Sequence, residues 1–237
     1  MINLPYEFSE KMKAILKDEY PEFLNLYDKE CYKGLRVNTL KCSIQKLKSM
    51  IGFEIKPTNF SNLNFYIPNS VTSLGKHPLH HAGAFYIQEP SASSAVTALD
   101  PKIGDKVLDL CAAPGGKSTQ IAALLNGTGL LWSNEIEKGR ANILLSNIER
   151  MGIRNSVISS LHPNILCSKL EGYFDKVLVD APCSGEGMFR KEPSSVKEWS
   201  YNNVISCSKR QLSILNSASK AVRIGGTIVY STCTFSK

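Results

Sequence analysis

The chain has 237 residues, of which 43% are hydrophobic, 21% charged and 8% aromatic, close to globular averages. These proportions exclude a disordered tail, a collagen-like rod and a disulfide-dense miniprotein, and the length suits one large domain or two modest ones. The net charge is +7, of which +5 falls after residue 185, and a localised basic excess favours a polyanionic partner.

Residues 6–30 place Phe8, Met12, Ile15, Leu16 and Tyr20 at helical spacing and predict one or two amphipathic helices. A strand is expected at 35–40, a helix at Ile44–Ile51 and a loop with a short strand over 58–73. A soft boundary falls near 75–90. From residue 100, strand-like and helix-like runs alternate, the pattern of a mostly parallel α/β sheet. The strands are 106–110, 130–134, 157–159, 176–179 and 227–230. Helices fall at 118–125, at 138–151 with Ile143, Leu144 and Ile148 on one face, and at 202–222, stopped by Gly225-Gly226. No apolar run reaches the roughly 18 residues of a membrane span, and residues 1–7 do not read as a secretory signal. No membrane partner is expected.

There are seven cysteines. None forms a C-x-x-C pair, so neither a zinc ribbon nor a thioredoxin-type motif is supported, and no metal is expected. An odd count without a signal predicts reduced thiols in the cytoplasm. Cys31, Cys42, Cys167 and Cys207 read as structural, Trp132 and Trp199 as packing residues, and His77, His80 and His81 as loop residues.

Three strand ends carry chemistry. Asp109-Leu-Cys-Ala-Ala-Pro-Gly-Gly-Lys-Ser118 follows the first strand of the parallel sheet and opens a helix, at the edge where such sheets bind ligands. It lacks G-x-G-x-x-G, and a Walker loop would need glycine where Cys111 stands. Glu135 follows the next strand, about 20 residues on, where an acid can accept both ribose hydroxyls. A nucleoside cofactor without a required pyrophosphate fits, and S-adenosyl-L-methionine is the candidate. Asp180-Ala-Pro-Cys-Ser-Gly-Glu-Gly-Met-Phe-Arg-Lys191 follows the fourth strand and Tyr230-Ser-Thr-Cys233 the fifth. Adjacent strands lie about 5 Å apart, so Cys183 and Cys233 are expected to face one cavity. Arg190 and Lys191 suggest a loop that closes on a phosphate backbone.

Paired thiols beside a nucleoside pocket suit methylation of cytosine. Carbon 5 is a poor nucleophile until a thiolate adds to carbon 6; a base then removes the carbon 5 proton and the thiol leaves. An acid near ring nitrogen 3 promotes the addition, and Asp180 is placed for that role.

Together these motifs resemble the RNA cytosine-5 methyltransferase family, the Nop/Sun group, and Gly187-Met-Phe-Arg-Lys191 resembles its bacterial branch acting on small-subunit ribosomal RNA. Leu35–Leu40 and Tyr86–Ala92 also look like family segments. The resemblance implies a Rossmann-like S-adenosylmethionine-dependent methyltransferase sheet over 86–237 and a small α+β RNA-contacting domain over 1–85. It implies that Cys233 is the nucleophile and that Cys183 assists product release, with the reverse order as the alternative. Cys111, Ala112, Ala113, Pro114, Gly115, Gly116, Lys117, Glu135 and Asp180 would hold the cofactor, and 16S ribosomal RNA would be the substrate.

Two departures follow from the same resemblance. Where the family carries an acid after the third strand, this chain has His162, which could accept a hydrogen bond from the cofactor's adenine or simply cap the next turn; weakened cofactor binding is expected. Family members also continue past the second thiol with a helix and a strand hairpin. The chain is therefore expected to lack the C-terminal strands of its sheet, and to be either active or a weakly active RNA- and cofactor-binding fragment needing a missing segment or a C-terminal partner chain.

Overall fold

The computed structural model describes residues 3–236; Met1, Ile2 and Lys237, which belong to the terminal stretches read above, lie outside them. In chain order come α1 (Tyr6–Leu16), α2 (Tyr20–Asn25), β1 (Lys33–Val37), α3 (Ile44–Met50), β2 (Lys56–Pro57), β3 (Asn64–Ile67), α4 (Pro78–His81), β4 (Phe85–Ile87) and α5 (Ser94–Leu99). There follow β5 (Lys106–Asp109), α6 (Gly116–Leu125), β6 (Leu130–Asn134), α7 (Lys138–Met151), β7 (Ser156–Ser159), α8 (Pro163–Lys169), β8 (Phe174–Asp180), α9 (Pro193–Glu198), α10 (Tyr201–Ala221) and β9 (Val222–Ser231).

The chain divides into two compact units. The first gathers Met1–Cys31, Ala181–Ser213 and Thr232–Lys237; the second holds Tyr32–Asp180 and Ile214–Ser231. The division expected near residue 85 lies inside the second unit.

The second unit contains two sheets. The smaller is antiparallel in the order β2-β3-β1-β4. Leu35, Val37, Leu47, Phe65 and Phe85 are buried in its core. Each fully buried side chain of this kind contributes about 1.5–3 kcal/mol. The larger sheet runs β7-β6-β5-β8-β9, every neighbouring pair parallel. The chain leaves the central β5 toward β6 and β7 on one side and toward β8 and β9 on the other. Its carboxyl end is therefore the switch point, where open α/β sheets form a ligand crevice. Behind it, Val107, Leu131 and Leu178 pack with Ile121 and Leu125 of α6 and with Leu144 and Ile148 of α7.

Several details depart from the periodicity. β1 runs over 33–37, and Asn38 beyond it is a buried tie that donates to the carbonyls of Gly83 and Met151 at 2.8 and 2.9 Å. β4 occupies the stretch read as a boundary. On α7, Ile143 is exposed, and Ala141 and Met151 join Leu144 and Ile148 on the buried face. Gly225-Gly226 does not stop α10, which ends at Ala221; both glycines lie within β9. There the pairing with β8 jumps from Phe174↔Val222 to Lys176↔Thr227. A side chain on Gly226 would sit 2.6 Å from the Asp175 carbonyl oxygen, so the glycine lets the bulge pass.

The first unit has an aromatic core in which Phe8, Met12, Phe189 and Trp199 are buried. Phe8 meets Phe189 and Trp199 edge-on at 5.1 and 5.9 Å between centroids. Among the described residues no helix is long and apolar enough to cross a membrane, and no cluster of His, Cys, Asp and Glu could hold a metal. His77 caps α4 through its ring, which accepts from the Leu79 amide at 3.1 Å.

Candidate active site

In the second unit, the loop Leu110–Gly115 joins β5 to α6 and is held from outside by its carbonyls. Arg140 donates to Ala113 O at 2.9 Å, and Asn147 to Pro114 O at 2.8 Å. Tyr86 reaches Pro114 O at 3.4 Å and Arg36 reaches Gly116 O at 2.5 Å. Arg36 is fully buried, and it also donates to Gln88 and to the Thr119 hydroxyl. Burial pushes its guanidinium down to about 9. The first bond of the α6 ladder runs from the Thr119 amide to the Gly115 carbonyl at 2.9 Å, and the amides before it open the helix at the end that suits an anionic group.

Two carboxylates flank this loop. Asp109 is wholly buried; its Oδ2 accepts from Ser118 at 2.6 Å, while its Oδ1 has no partner among the described residues. Burial pushes it up to about 7 against the lowering effect of the Ser118 bond. Glu135, at the end of β6, is 3% exposed and accepts from the Glu137 amide at 3.1 Å, with Arg140 at 3.6 Å. Lys117 contacts Asp180 at the end of β8 at 2.6 Å, and Ser231 at the end of β9 donates to the same carboxylate at 2.8 Å. An orphaned carboxylate oxygen and a second buried carboxylate suit a ligand rich in hydroxyl and cationic donors, and S-adenosylmethionine has ribose hydroxyls, an ammonium group and a sulfonium. The Cys111 thiol lies in the same loop, but burial, with Asp109 and Glu135 nearby, pushes it up to about 12 and leaves it inert.

His162 is exposed at the start of α8. Its Nδ1 accepts from the Asn164 amide at 3.3 Å, so in this structure it caps the helix.

The other constellation lies in the first unit. Cys183 comes three residues after Asp180 and Cys233 two after Ser231. Their sulfur atoms lie 3.2 Å apart. Cys233 is exposed and Cys183 half-buried. The Cys233 thiol donates to Cys183 and, against the cost of burial and with help from the Gly185 and Cys233 amides, pushes Cys183 down to about 6. The lowered value belongs to the two thiols together, which share a hydrogen bond across the 3.2 Å contact. The Gly187 amide donates to the Cys233 carbonyl at 2.7 Å, and a side chain on Gly187 would sit 2.7 Å from that same oxygen. Gln211 of α10 donates to Pro182 O at 3.0 Å. Arg190 donates to the Lys29 and Glu30 carbonyls at 2.7 and 3.2 Å, and Lys191 is exposed.

Asp109 and Glu186 lie within the sequence motifs and Arg36 within the segment Leu35–Leu40, and the sequence alone assigns none of the three a role. An acid within an apolar or small-residue run is the signal that marks the first two. Nothing local marks Arg36, because its acceptors lie 52, 80 and 83 residues away.

A family model described as 16S rRNA methyltransferase RsmB/F matches residues 96–237, and one described as the N-terminal domain of 16S rRNA methyltransferase RsmF matches residues 4–90. Ribosomal RNA small subunit methyltransferase F of Vibrio cholerae serotype O1 (strain M66-2) is 40% identical over 245 residues, covering 100% of this chain and 52% of that protein. A methyltransferase homolog protein from Pyrococcus horikoshii superposes with a TM-score of 0.79 at 30% identity, over 92% of this chain and 70% of that one. NSun6 from Pyrococcus horikoshii, solved with SFG, gives 0.87 at 22% identity over 98% and 84% of the two chains, a likeness of fold. The chain spans about half the length of the curated relatives it matches.

Proposed function

The chain belongs to the RsmB/F family of 16S rRNA methyltransferases, and from that premise we propose that it methylates carbon 5 of a cytosine in 16S ribosomal RNA through a covalent cysteine adduct. The observation that carries the reading is the thiol pair, 3.2 Å between sulfurs, with one thiol exposed and the other pushed down to about 6.

In this reading Cys111 to Lys117, Glu135 and Asp180 hold S-adenosylmethionine, of which SFG, found with NSun6, is an analogue. The cofactor supplies the electrophilic methyl group. Cys233, the more exposed thiol, adds to carbon 6 of the ring and gives its proton to the Cys183 thiolate. The carbon 5–carbon 6 π electrons move into the ring as nitrogen 3 takes a proton from the Lys117–Asp180 pair. Carbon 5 thereby becomes the nucleophile that accepts the methyl group. Once a base removes the carbon 5 proton, those electrons re-form the double bond, the carbon 6–sulfur bond breaks and nitrogen 3 returns its proton to the Lys117–Asp180 pair; Cys233 leaves as a thiolate that takes back its proton from Cys183. His162, whose Nδ1 already accepts from the Asn164 amide, would offer the cofactor's adenine a weaker acceptor than an acid. Lys191 and Arg190 meet the RNA backbone, and residues 1–85 make further RNA contacts.

Single replacements test the order of the thiols. Incubated with small-subunit ribosomal RNA and cofactor, Cys183→Ser accumulates a protein–RNA adduct that survives denaturing electrophoresis, while Cys233→Ser forms none. The opposite pattern makes Cys183 the nucleophile, and an adduct from neither variant overturns the covalent route.

A further inference from the structure

We propose that Glu186 is the positioning residue of the thiol pair: its buried carboxylate fastens the Cys183 loop to the Cys233 segment so that the two sulfurs meet. Glu186 is 2% exposed. Its Oε2 accepts from the Ser184 hydroxyl at 2.9 Å, from the Thr234 hydroxyl and from the Phe235 amide at 3.2 Å. Its Oε1 accepts from the Trp199 indole at 3.0 Å and from the Ser236 hydroxyl at 2.9 Å. Ser184 is the neighbour of Cys183 and Thr234 the neighbour of Cys233, and their two hydroxyls are 3.1 Å apart.

The arrangement turns on what a carboxylate can do that its neighbours cannot. Hydroxyls, an indole and an amide are donors in search of acceptors, and a carboxylate offers about four lone-pair sites on two oxygens. One group therefore satisfies donors from both thiol-bearing segments and from Trp199 at once. Burial pushes the Glu186 carboxyl up, but the bonds from Thr234, Trp199, Ser236 and Ser184 outweigh that cost and hold it below its ordinary value. It stays an anion, and as an acceptor only it cannot change partners. With the two segments clamped, the Cys233 thiol is fixed where it donates to Cys183.

The inference rests on the thiol reading above, and its test needs neither RNA nor cofactor. The rate of Cys183 alkylation by iodoacetamide is followed against pH by mass spectrometry. In parallel, the Cys183–Cys233 disulfide is equilibrated with glutathione and glutathione disulfide: each disulfide formed in the protein takes two electrons to glutathione disulfide and releases two glutathiones. The parent, Glu186→Ala, Glu186→Gln and a control, Met12→Ala, are compared. Met12 is buried in the same aromatic cluster as Trp199 and is not among the donors to Glu186.

The Glu186 charge by itself raises the Cys183 thiol, but the bond from Cys233 that the clamp holds in place lowers it more, so Glu186→Ala moves the alkylation midpoint from about 6 toward the ordinary thiol value of about 8.5 and lowers the intramolecular disulfide equilibrium constant at least tenfold. Glu186→Gln, which keeps one acceptor oxygen, falls between, and Met12→Ala matches the parent. If Glu186→Ala does not fold, Glu186→Gln decides. A parental midpoint and parental equilibrium in the folded Glu186 variants overturn the proposal, as does a Met12→Ala shift equal to theirs. Failure of the adduct experiment leaves this result standing, and failure here leaves the adduct experiment open.

Discussion

Asp109, at the end of β5, and Glu186, in the loop after β8, are both sealed from solvent, and they sit in opposite electrostatic states. Asp109 has one hydroxyl donor and one orphaned oxygen, and burial pushes it up to about 7. Glu186 has five donors on two oxygens and lies below its ordinary value. Burial raises both carboxyls; at Asp109 the single Ser118 bond does not offset it and Asp180 and Glu135 raise it further, whereas at Glu186 four side-chain donors outweigh it. The comparison separates two kinds of region. Around Asp109 the framework is complete, with long side chains holding the loop carbonyls, and the carboxylate is left with acceptor capacity to spare. Around Glu186 the carboxylate is itself the framework.

The largest effect that tests this contrast is in the pH dependence of stability. Below about 4 Asp109 is protonated whether the chain is folded or not, and above about 7 it is charged in both states. In between, the unfolded chain has released a proton that the folded chain still holds. Stability therefore falls as pH rises from the ordinary 3.8 through about 7, by at most roughly 4 kcal/mol. Asp109→Asn, which keeps the size and the acceptor for Ser118, removes this decline from urea unfolding measured across that range. A variant with the parental slope would mean that Asp109 is no more penalised than Glu186. Next in size is Gly187→Ala. The added carbon would press on the Cys233 carbonyl, a backbone atom that cannot swing aside, so a loss of about 1–3 kcal/mol is expected, together with slower alkylation of Cys183 at pH 7. Unchanged stability would show that the 232–236 segment is loosely seated and that Glu186 is a weaker clamp than its donors imply. The smallest is Trp199→Phe, which keeps the ring against Phe8 and deletes one of five donors; about 1 kcal/mol in unfolding free energy is expected. A loss of several kcal/mol would show that the donors are not interchangeable.

Much of the larger sheet is legible in the sequence, because its strands are short apolar runs that stop at motif loops. The ends of β5, β8 and β9 fall at Asp109, Asp180 and Ser231, where the three motifs begin or pass. The unread parts have physical reasons. α5 and α8 are six- and seven-residue helices, too short for a period to declare itself. Ile143 counts as apolar in any pattern, yet the small Ala141 takes the buried position on α7. Gly225-Gly226 has the look of a helix stop, and only the register of β9 against β8 shows it to be a bulge. In the candidate site, the thiols and the glycine-rich loop stand out as residue types in a motif. Arg36 and Glu186 do not, since, Ser184 apart, what they do depends on acceptors and donors brought from 13 to 83 residues away.

The segmentation of the first unit has a consequence for synthesis. Glu186 leaves the ribosome 48 to 50 residues ahead of Thr234, Phe235 and Ser236. In a nascent chain that ends between them, the carboxylate has only Ser184 and Trp199, and Cys183 has no partner thiol to donate to it. Until the later stretch arrives, the loop lacks three of the five donors that its carboxylate holds in the finished chain. The thiol pair is thus completed only with the finished segment, and the nascent chain carries Cys183 without the donor that activates it.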